Sequence, residues 1–384
     1  MKNLHRYPVL ILDAHLRHSI PVIRSLGKKG IKVIAASHHK LMPAALSRYC
    51  AQSEILSSDP TEIVEQVNDL VEKHAIKVII PCGLNSNLLI CQNKTSINPN
   101  VFCPYNPPEI FETLSNKAKT GQLSLNLGIP TPRTFTIQDP KMIETIEQAI
   151  KFPVVFKSVV DQGTVKYARS HEQLKTLVSS FWSSNSDLVK KGYFPIIQEH
   201  ISGDGYGFFA LCQNGTIRSF FMHKRLHEVP PSGGPSAMAI SYFDETILEL
   251  GSKILNHCEW NGVAMVEFKK SIIDDKYYLL EVNPKFWGSL DLAITAGVDF
   301  PFDLYCMLSN QKITAVPGDY RRDIIFRWIS MDLSYSVSAR KLLRFLKDFF
   351  NKKIFSDWDW NDPIPFIALF LSRIRRHQKR NRHA

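Results

Sequence analysis

Disulfide chemistry has little to work with in this sequence. The seven cysteines are an odd number, and Cys50, Cys82, Cys91, Cys103, Cys212, Cys258 and Cys306 lie apart among apolar neighbours with no CxxC spacing. A disulfide framework and a thiolate zinc site are therefore unsupported, and a reducing cytoplasm is the simpler expectation. Long hydrophobic runs are missing too: no stretch reaches the roughly 18 apolar residues of a membrane-spanning helix. Met1 to Tyr7 is polar and Pro8 to Leu12 is one strand long, so no secretory signal is expected. There is no GxGxxG, no internal repeat, no low-complexity linker and no evident nucleophilic triad.

What is present is a globular composition. The 384 residues, 44% hydrophobic and 22% charged, suffice for two or three domains with ordinary cores. The formal net charge of +11 suits an anionic partner. Part of it is local, because Arg373, Arg375, Arg376, Lys379, Arg380 and Arg382 crowd the end of the chain. Nucleic acid is not the expected partner, since the basic tail lacks the interleaved aromatics of a stacking platform.

The first third alternates strand and helix. Pro8 to Asp13 is a short apolar run, Ser19 to Lys29 a helix, and Ile31 to Ala36 a buried strand. Asp59-Pro60 opens an amphipathic helix through His74, and Lys77 to Pro81 is a further strand. This order predicts an open parallel sheet of Rossmann type. The Asp13-Ala14-His15 loop reads as a plain structural loop.

Beyond the proline-rich joint at Pro104 to Pro108 the order is mixed. Glu109 to Leu127 reads as one helix, ended by Gly128-Ile129-Pro130, and Met142 to Ile150 as a short one. Phe152 to Val160 is a strand interrupted by Lys157, and Tyr193 to Ile201 another strand. Gly203, Gly205 and Gly207 fall in a loop. Phe208 to Cys212 and Thr216 to His223 form a hairpin around Asn214-Gly215, and a mobile loop spans Pro230 to Pro235. Thr246 to Glu259 is a helix, Arg321 to Ser330 alternates like a strand, and Ala339 to Phe350 is a basic amphipathic helix.

The chemistry gathers at residues 261–289. Val263 to Lys270 and Lys276 to Val282 read as strands joined by a turn at Asp274-Asp275. Glu267 and Glu281 stand where a strand is ordinarily apolar, and Asn283 shares the face of Glu281. A pairing in which Glu267 faces Glu281 would bring two carboxylates and an amide oxygen together, a set that suits Mg2+ completed by phosphates. The alternative is two solvated acids. Lys157 likewise reads as a buried, partnered ammonium or as a lysine reaching water from an edge strand.

Together these motifs resemble the ATP-grasp superfamily, in its carboxylate-amine ligase and carbamoyl-phosphate-synthase-like branch, over residues 1 to about 310. PVVFK ending at Lys157 and the helix carrying Lys117 are similar to the two nucleotide lysines of the family. IIQEHISG is similar to its hinge strand. VEF and LLEVNPKFWGSL are similar to its metal strands. The resemblance implies ATP held by Lys117, Lys157, Gln198, Glu199, Ile201 and Asp204, with backbone at Glu199 and Ile201 meeting adenine. It implies Mg2+, or Mn2+ in its place, on Glu267, Glu281 and Asn283, with Arg225 and Lys285 as catalytic residues. The Ser232-Gly233-Gly234 loop would carry phosphate contacts, and Asp161 to Thr164 could fold over them.

The implied fold is a Rossmann-like parallel sheet (1–108), then a two-lobed grasp (109–315, small lobe about 130–200 and large lobe about 201–315) with antiparallel sheets, then a C-terminal extension (316–384). The implied activity is a ligase that activates a carboxylate as an acyl phosphate and joins it to an amine or thiol. Its partners would then be a small carboxylate and an amine. Lys285 departs from the family pattern, which often has arginine there, and the phosphate flap has fewer glycines than usual. These departures keep a second reading open, a catalytically weak nucleotide-binding module with a regulatory or scaffolding role. The tail at residues 364–384, apolar and then basic, fits either a segment lying on the inner membrane surface or a helix packed on the body. The oligomeric state is not readable.

Overall fold

The computed structural model describes residues 6–159, 165–231 and 233–382, with residue 60 and residues 374–382 described by their backbone alone. Ser232 and the 161–164 loop, two of the expected phosphate contacts, lie outside the described residues.

The chain begins with β1 (Val9–Leu12), α1 (Ser19–Lys28), β2 (Val33–Ser37), β3 (Gln52–Ile55), α2 (Pro60–His74), β4 (Val78–Pro81) and α3 (Leu84–Gln92). The four strands form a parallel sheet in the order β3-β2-β1-β4. Side chains alternate across it, so Val9 and Ile11 enter one core and Leu10 and Leu12 another, beneath Val67, Leu70 and Val71 of α2. β3 and α3 escape a sequence reading. β3 is a polar edge strand, and α3 has no sharp apolar stripe.

The helix expected over Glu109–Leu127 is two: α4 (Pro108–Ser115) and α5 (Lys117–Asn126). Asn116 breaks it. Its backbone is extended, and its side chain accepts from the N–H groups of Ala118 and Lys119, capping α5. A four-stranded sheet follows, built from β5 (Thr134–Thr136), β6 (Val154–Ser158), β7 (Lys166–Ala168) and β8 (Pro195–Glu199) in the order β5-β8-β6-β7. It is covered by α6 (Met142–Ile146), α7 (His171–Ser184) and α8 (Ser186–Lys190), and it has a core of its own around Val154, Phe156, Leu174 and Ile197.

The third sheet is the largest. Its strands are β9 (Gly203–Gln213), β10 (Thr216–Glu228), β11 (Ser236–Ser241), β12 (Gly262–Ser271), β13 (Tyr277–Asn283), β14 (Ile325–Arg327) and β15 (Ile354–Ser356), in the order β13-β12-β9-β10-β11-β14-β15. Between them lie α9 (Glu245–His257), α10 (Leu290–Ala296), α11 (Phe300–Leu308), α12 (Ile329–Ser338) and α13 (Leu342–Phe349), and α14 (Ile364–Arg382) ends the chain. Its core is continuous with one face of the N-terminal sheet.

Two expectations need correction here. Gly203, Gly205 and Gly207 belong to β9 and not to a loop. They are needed because β9 packs tightly: a β-carbon on Gly203 would collide with the Lys270 carbonyl, and one on Gly207 with the Phe209 ring. The alternation at Arg321–Ser330 yields only the three-residue β14, and Ile329 already starts α12.

The chain's end returns to its beginning. Asp362, fully buried, receives Arg24 Nε at 2.9 Å, the Ser47 hydroxyl at 2.7 Å and the Arg48 N–H at 2.9 Å. Pro365, Leu369 and Ser372 of α14 are buried, while Ile364, Ile367 and Leu371 stay exposed. Among the described residues no helix is long and apolar enough to cross a membrane.

Candidate active site

The small sheet and the large sheet face each other across a cavity of about 450 Å³, a size suited to a small-molecule ligand. Its floor is the β12–β13 hairpin. Glu267 pairs with Glu281 and Met265 with Asn283, as the sequence predicts, but a bulge after Glu267 shifts the register beyond it. The Asn283 amide donates to Glu281 Oε1 at 3.0 Å and approaches Glu267 Oε1 at 3.4 Å. The two acids are thus joined in one site rather than solvated apart.

Each acid also has a cation. Lys117 Nζ, at the start of α5, lies 3.2 Å from Glu281 Oε2. Arg225 Nη2 lies 2.5 Å from Glu267 Oε2, and its Nη1 donates to Glu228 Oε1 at 3.1 Å and to the Gly234 carbonyl at 3.2 Å. Burial pushes the Glu281 carboxyl up, but Lys117 and Lys157 outweigh it and hold the group at about 2. Glu267 goes the other way. Burial and the neighbouring Glu281 raise it despite Arg225.

Lys157 is 8% exposed, and β6 lies between β8 and β7, so it is not an edge-strand lysine reaching water. Its ammonium donates to Gln198 Oε1 at 2.8 Å, and Gln198 Nε2 donates in turn to Thr134 Oγ1 at 3.1 Å. Burial pulls the Lys157 ammonium below its ordinary value, and Glu281 offsets part of that. Glu199 and Ile201 border the cavity at the end of β8. The Glu199 N–H is already given to the Arg133 carbonyl at 2.8 Å, and the Ile201 carbonyl accepts from Lys269 at 3.2 Å. Lys285 also lines the cavity.

Asp204 is the exception among the expected nucleotide residues. It sits in β9, outside the cavity lining, exposed and paired with Lys224 at 2.6 Å. The strand register that replaces the expected loop turns it away.

Two charged lining residues carry no sequence signal that marks them. Glu228 and Lys269 read as ordinary charged strand residues. Arg17 follows the first strand at its carboxyl end, where open parallel sheets place ligands, and that position is the signal available. It donates to the Gly288 carbonyl at 2.6 Å, its guanidinium carbon lies 5.5 Å from the centre of the Trp328 ring, and its buried Nη1 has no hydrogen-bond partner among the described residues. Burial lowers its pKa, opposed by Asp357 and Asp291. Nearby, burial and then Lys285 push His18 down to about 3, so it stays neutral, with Nε2 donating to the Cys82 carbonyl at 2.9 Å. In the Asp13 loop the carboxylate accepts from the Gly83 N–H at 2.9 Å.

The donor set suits a hard cation in part. Among the described residues no group of three His, Cys, Asp or Glu side chains could hold a metal. Two carboxylates and one amide would need oxygens from a bound phosphate to complete the shell. Asn283 has both a donor and an acceptor, so the same side chain can serve carboxylates in one orientation and a cation in the other.

A parallel N-terminal sheet followed by two antiparallel sheets that enclose a lysine- and carboxylate-lined cleft defines the ATP-grasp fold. Solved structures agree. The chain is similar to N5-carboxyaminoimidazole synthetase from Staphylococcus aureus (TM-score 0.66, 14% identity, 88% of this chain and 86% of that one). It is similar to L-amino acid ligase from Bacillus licheniformis (0.63, 14%, 79% and 75%). It is also similar to the biotin carboxylase domain of Hydrogenobacter thermophilus 2-oxoglutarate carboxylase, solved with MgADP, ADP and bicarbonate (0.65, 14%, 84% and 74%). In sequence it is 19% identical over 281 residues to the carbamoyl phosphate synthase large chain, C-terminal section, of Methanopyrus kandleri, covering 70% of this chain. The chain spans about half the length of that relative, 49%. No family model matches.

Proposed function

We propose that this protein uses ATP to activate a carboxylate as an acyl phosphate and then joins it to an amine. The observation that carries the reading is the meeting of Glu267, Glu281 and Asn283 with Lys117, Lys157 and Arg225 around one cavity. A carboxylate is a poor electrophile in water, and transfer of the γ-phosphoryl group gives it a leaving group. Lys157 and Lys117 would bind phosphate oxygens, and Arg225 would offset the charge that develops in transfer. Glu267, Glu281 and Asn283 would hold Mg2+, or Mn2+ in its place, which neutralises phosphate charge when bound. The Glu199–Ile201 backbone would border the base.

The substrate acid would lie toward Arg17 and Lys285, two further cations of the lining. Lysine at 285 keeps the charge there but lacks the two-pronged donor geometry of arginine. That substitution favours a second reading, a nucleotide binder without turnover.

The test is ADP release with Mg-ATP over a pool of amino acids and small carboxylic acids. Release by the native chain and its loss in Glu281→Gln support the ligase. Undiminished release in Glu281→Gln overturns the carboxylate assignment. Nucleotide binding without release across the pool favours the second reading.

A further inference from the structure

We propose that α13 and Phe350 form a docking surface for an anionic lipid membrane. The argument starts from the spacing in LLRFLKDFF. Leu342, Leu343, Leu346, Phe349 and Phe350 fall on one arc of the helix, about 120° wide at roughly 100° per residue. All five are exposed, Leu343 at 85% and Phe350 at 80%. Phe345, at the edge of that arc, is the residue that anchors the helix. It is buried, with the Arg327 guanidinium 4.2 Å from its ring centre. The apolar stripe is therefore wider than the body can cover, and its outer part faces solvent.

The charge around the stripe names the occupant. Arg340, Lys341, Arg344, Lys347, Lys352 and Lys353 are exposed and flank it, and the one acid in the segment, Asp348, already pairs with Arg344 at 3.7 Å. An apolar face bordered by basic side chains complements acyl chains beneath anionic headgroups. Trp360, 84% exposed beyond β15, is the side chain type that settles at such an interface. A second protein copy would have to meet the same positive rim on its partner, and like charges repel. The surface is separate from the cleft, because none of these residues lines the cavity.

The experiment is sedimentation of the full chain with vesicles of phosphatidylcholine, with and without phosphatidylglycerol. Binding is expected only with phosphatidylglycerol, and it should weaken as salt rises. Leu343→Glu with Phe350→Glu should weaken it about tenfold or more while ADP release is unchanged. A second variant, Lys347→Glu with Lys352→Glu and Lys353→Glu, should do the same without touching the apolar face. The proposal is overturned if the native chain ignores anionic vesicles, or if both variants sediment like it. It is overturned equally if only removal of residues 375–384 abolishes binding. A dimer in solution that the Leu343/Phe350 variant splits would assign the face to a second copy instead.

Discussion

Gln198 illustrates how one neutral side chain can govern a charged one. Its amide oxygen gives the buried Lys157 ammonium an acceptor at 2.8 Å, and its nitrogen is tied to Thr134. Replacing it with leucine leaves the ammonium without that partner, a loss of about 1.5–3 kcal/mol for a hydrogen bond to a charged group. Gln198→Leu is expected to raise the KM for ATP about tenfold or more, measured by ADP release; an unchanged KM would mean Lys157 is held by other groups. Arg17→Lys should instead raise the KM for the acid substrate and leave ATP affinity intact, because the proposed role of Arg17 is to hold the acid and not the nucleotide. At this scale the sequence was legible where a residue broke its local pattern. Glu267, Glu281 and Lys157 each interrupt an apolar strand. Glu228, Lys269 and Arg17 interrupt nothing, so their place in the cleft depends on strands and loops far apart in the chain. Asp204 failed for the converse reason: glycines beside it suggested a loop, and close strand packing was their actual use.

Among the elements, α5 is the one whose start matters most. Asn116 caps it, and the next residue is Lys117, which reaches Glu281. Asn116→Ala is expected to cost about 1 kcal/mol of stability, as for other capping residues. It should weaken ATP binding as well, because the first turn carries the lysine; thermal unfolding and nucleotide titration check the two effects. The break at Asn116 was hidden because apolar spacing continues through it from Glu109 to Leu127, and only the cap geometry separates the two helices. Strand β14 was half legible, since the alternation around it extended past its end into α12. The parallel sheet was the most legible part, because three of its four strands are short buried apolar runs; only the polar edge strand β3 gave no signal.

Across the whole molecule, buried charge decides how stability responds to pH. Asp303 of α11 is 4% exposed, and burial, then Asp299, pushes its carboxyl from 3.8 to about 7. The folded state therefore holds this proton more tightly than the unfolded one. Stability from this group is fully present below pH 4 and is lost as pH rises to about 7, by on the order of 4 kcal/mol. Asp303→Asn should flatten that decline, seen as a smaller difference in Tm between pH 5 and pH 8. The Arg24–Asp362 pair is the other lever. Asp362→Ala leaves a buried guanidinium uncompensated and is expected to cost about 3–5 kcal/mol in chemical denaturation.

That same pair has a consequence for how the protein is made. Arg24 and Arg17 leave the ribosome well before Asp362 and Asp357, which lie more than three hundred residues further along the chain. N-terminal units ordinarily fold first during synthesis. Here the first sheet can form on schedule, but Arg24 of α1 and Arg17 in the loop before it wait for counter-charges encoded more than three hundred residues later. A nascent chain stalled before residue 357 would therefore hold a formed sheet whose neighbouring guanidiniums, Arg17 and Arg24, still lack Asp357 and Asp362.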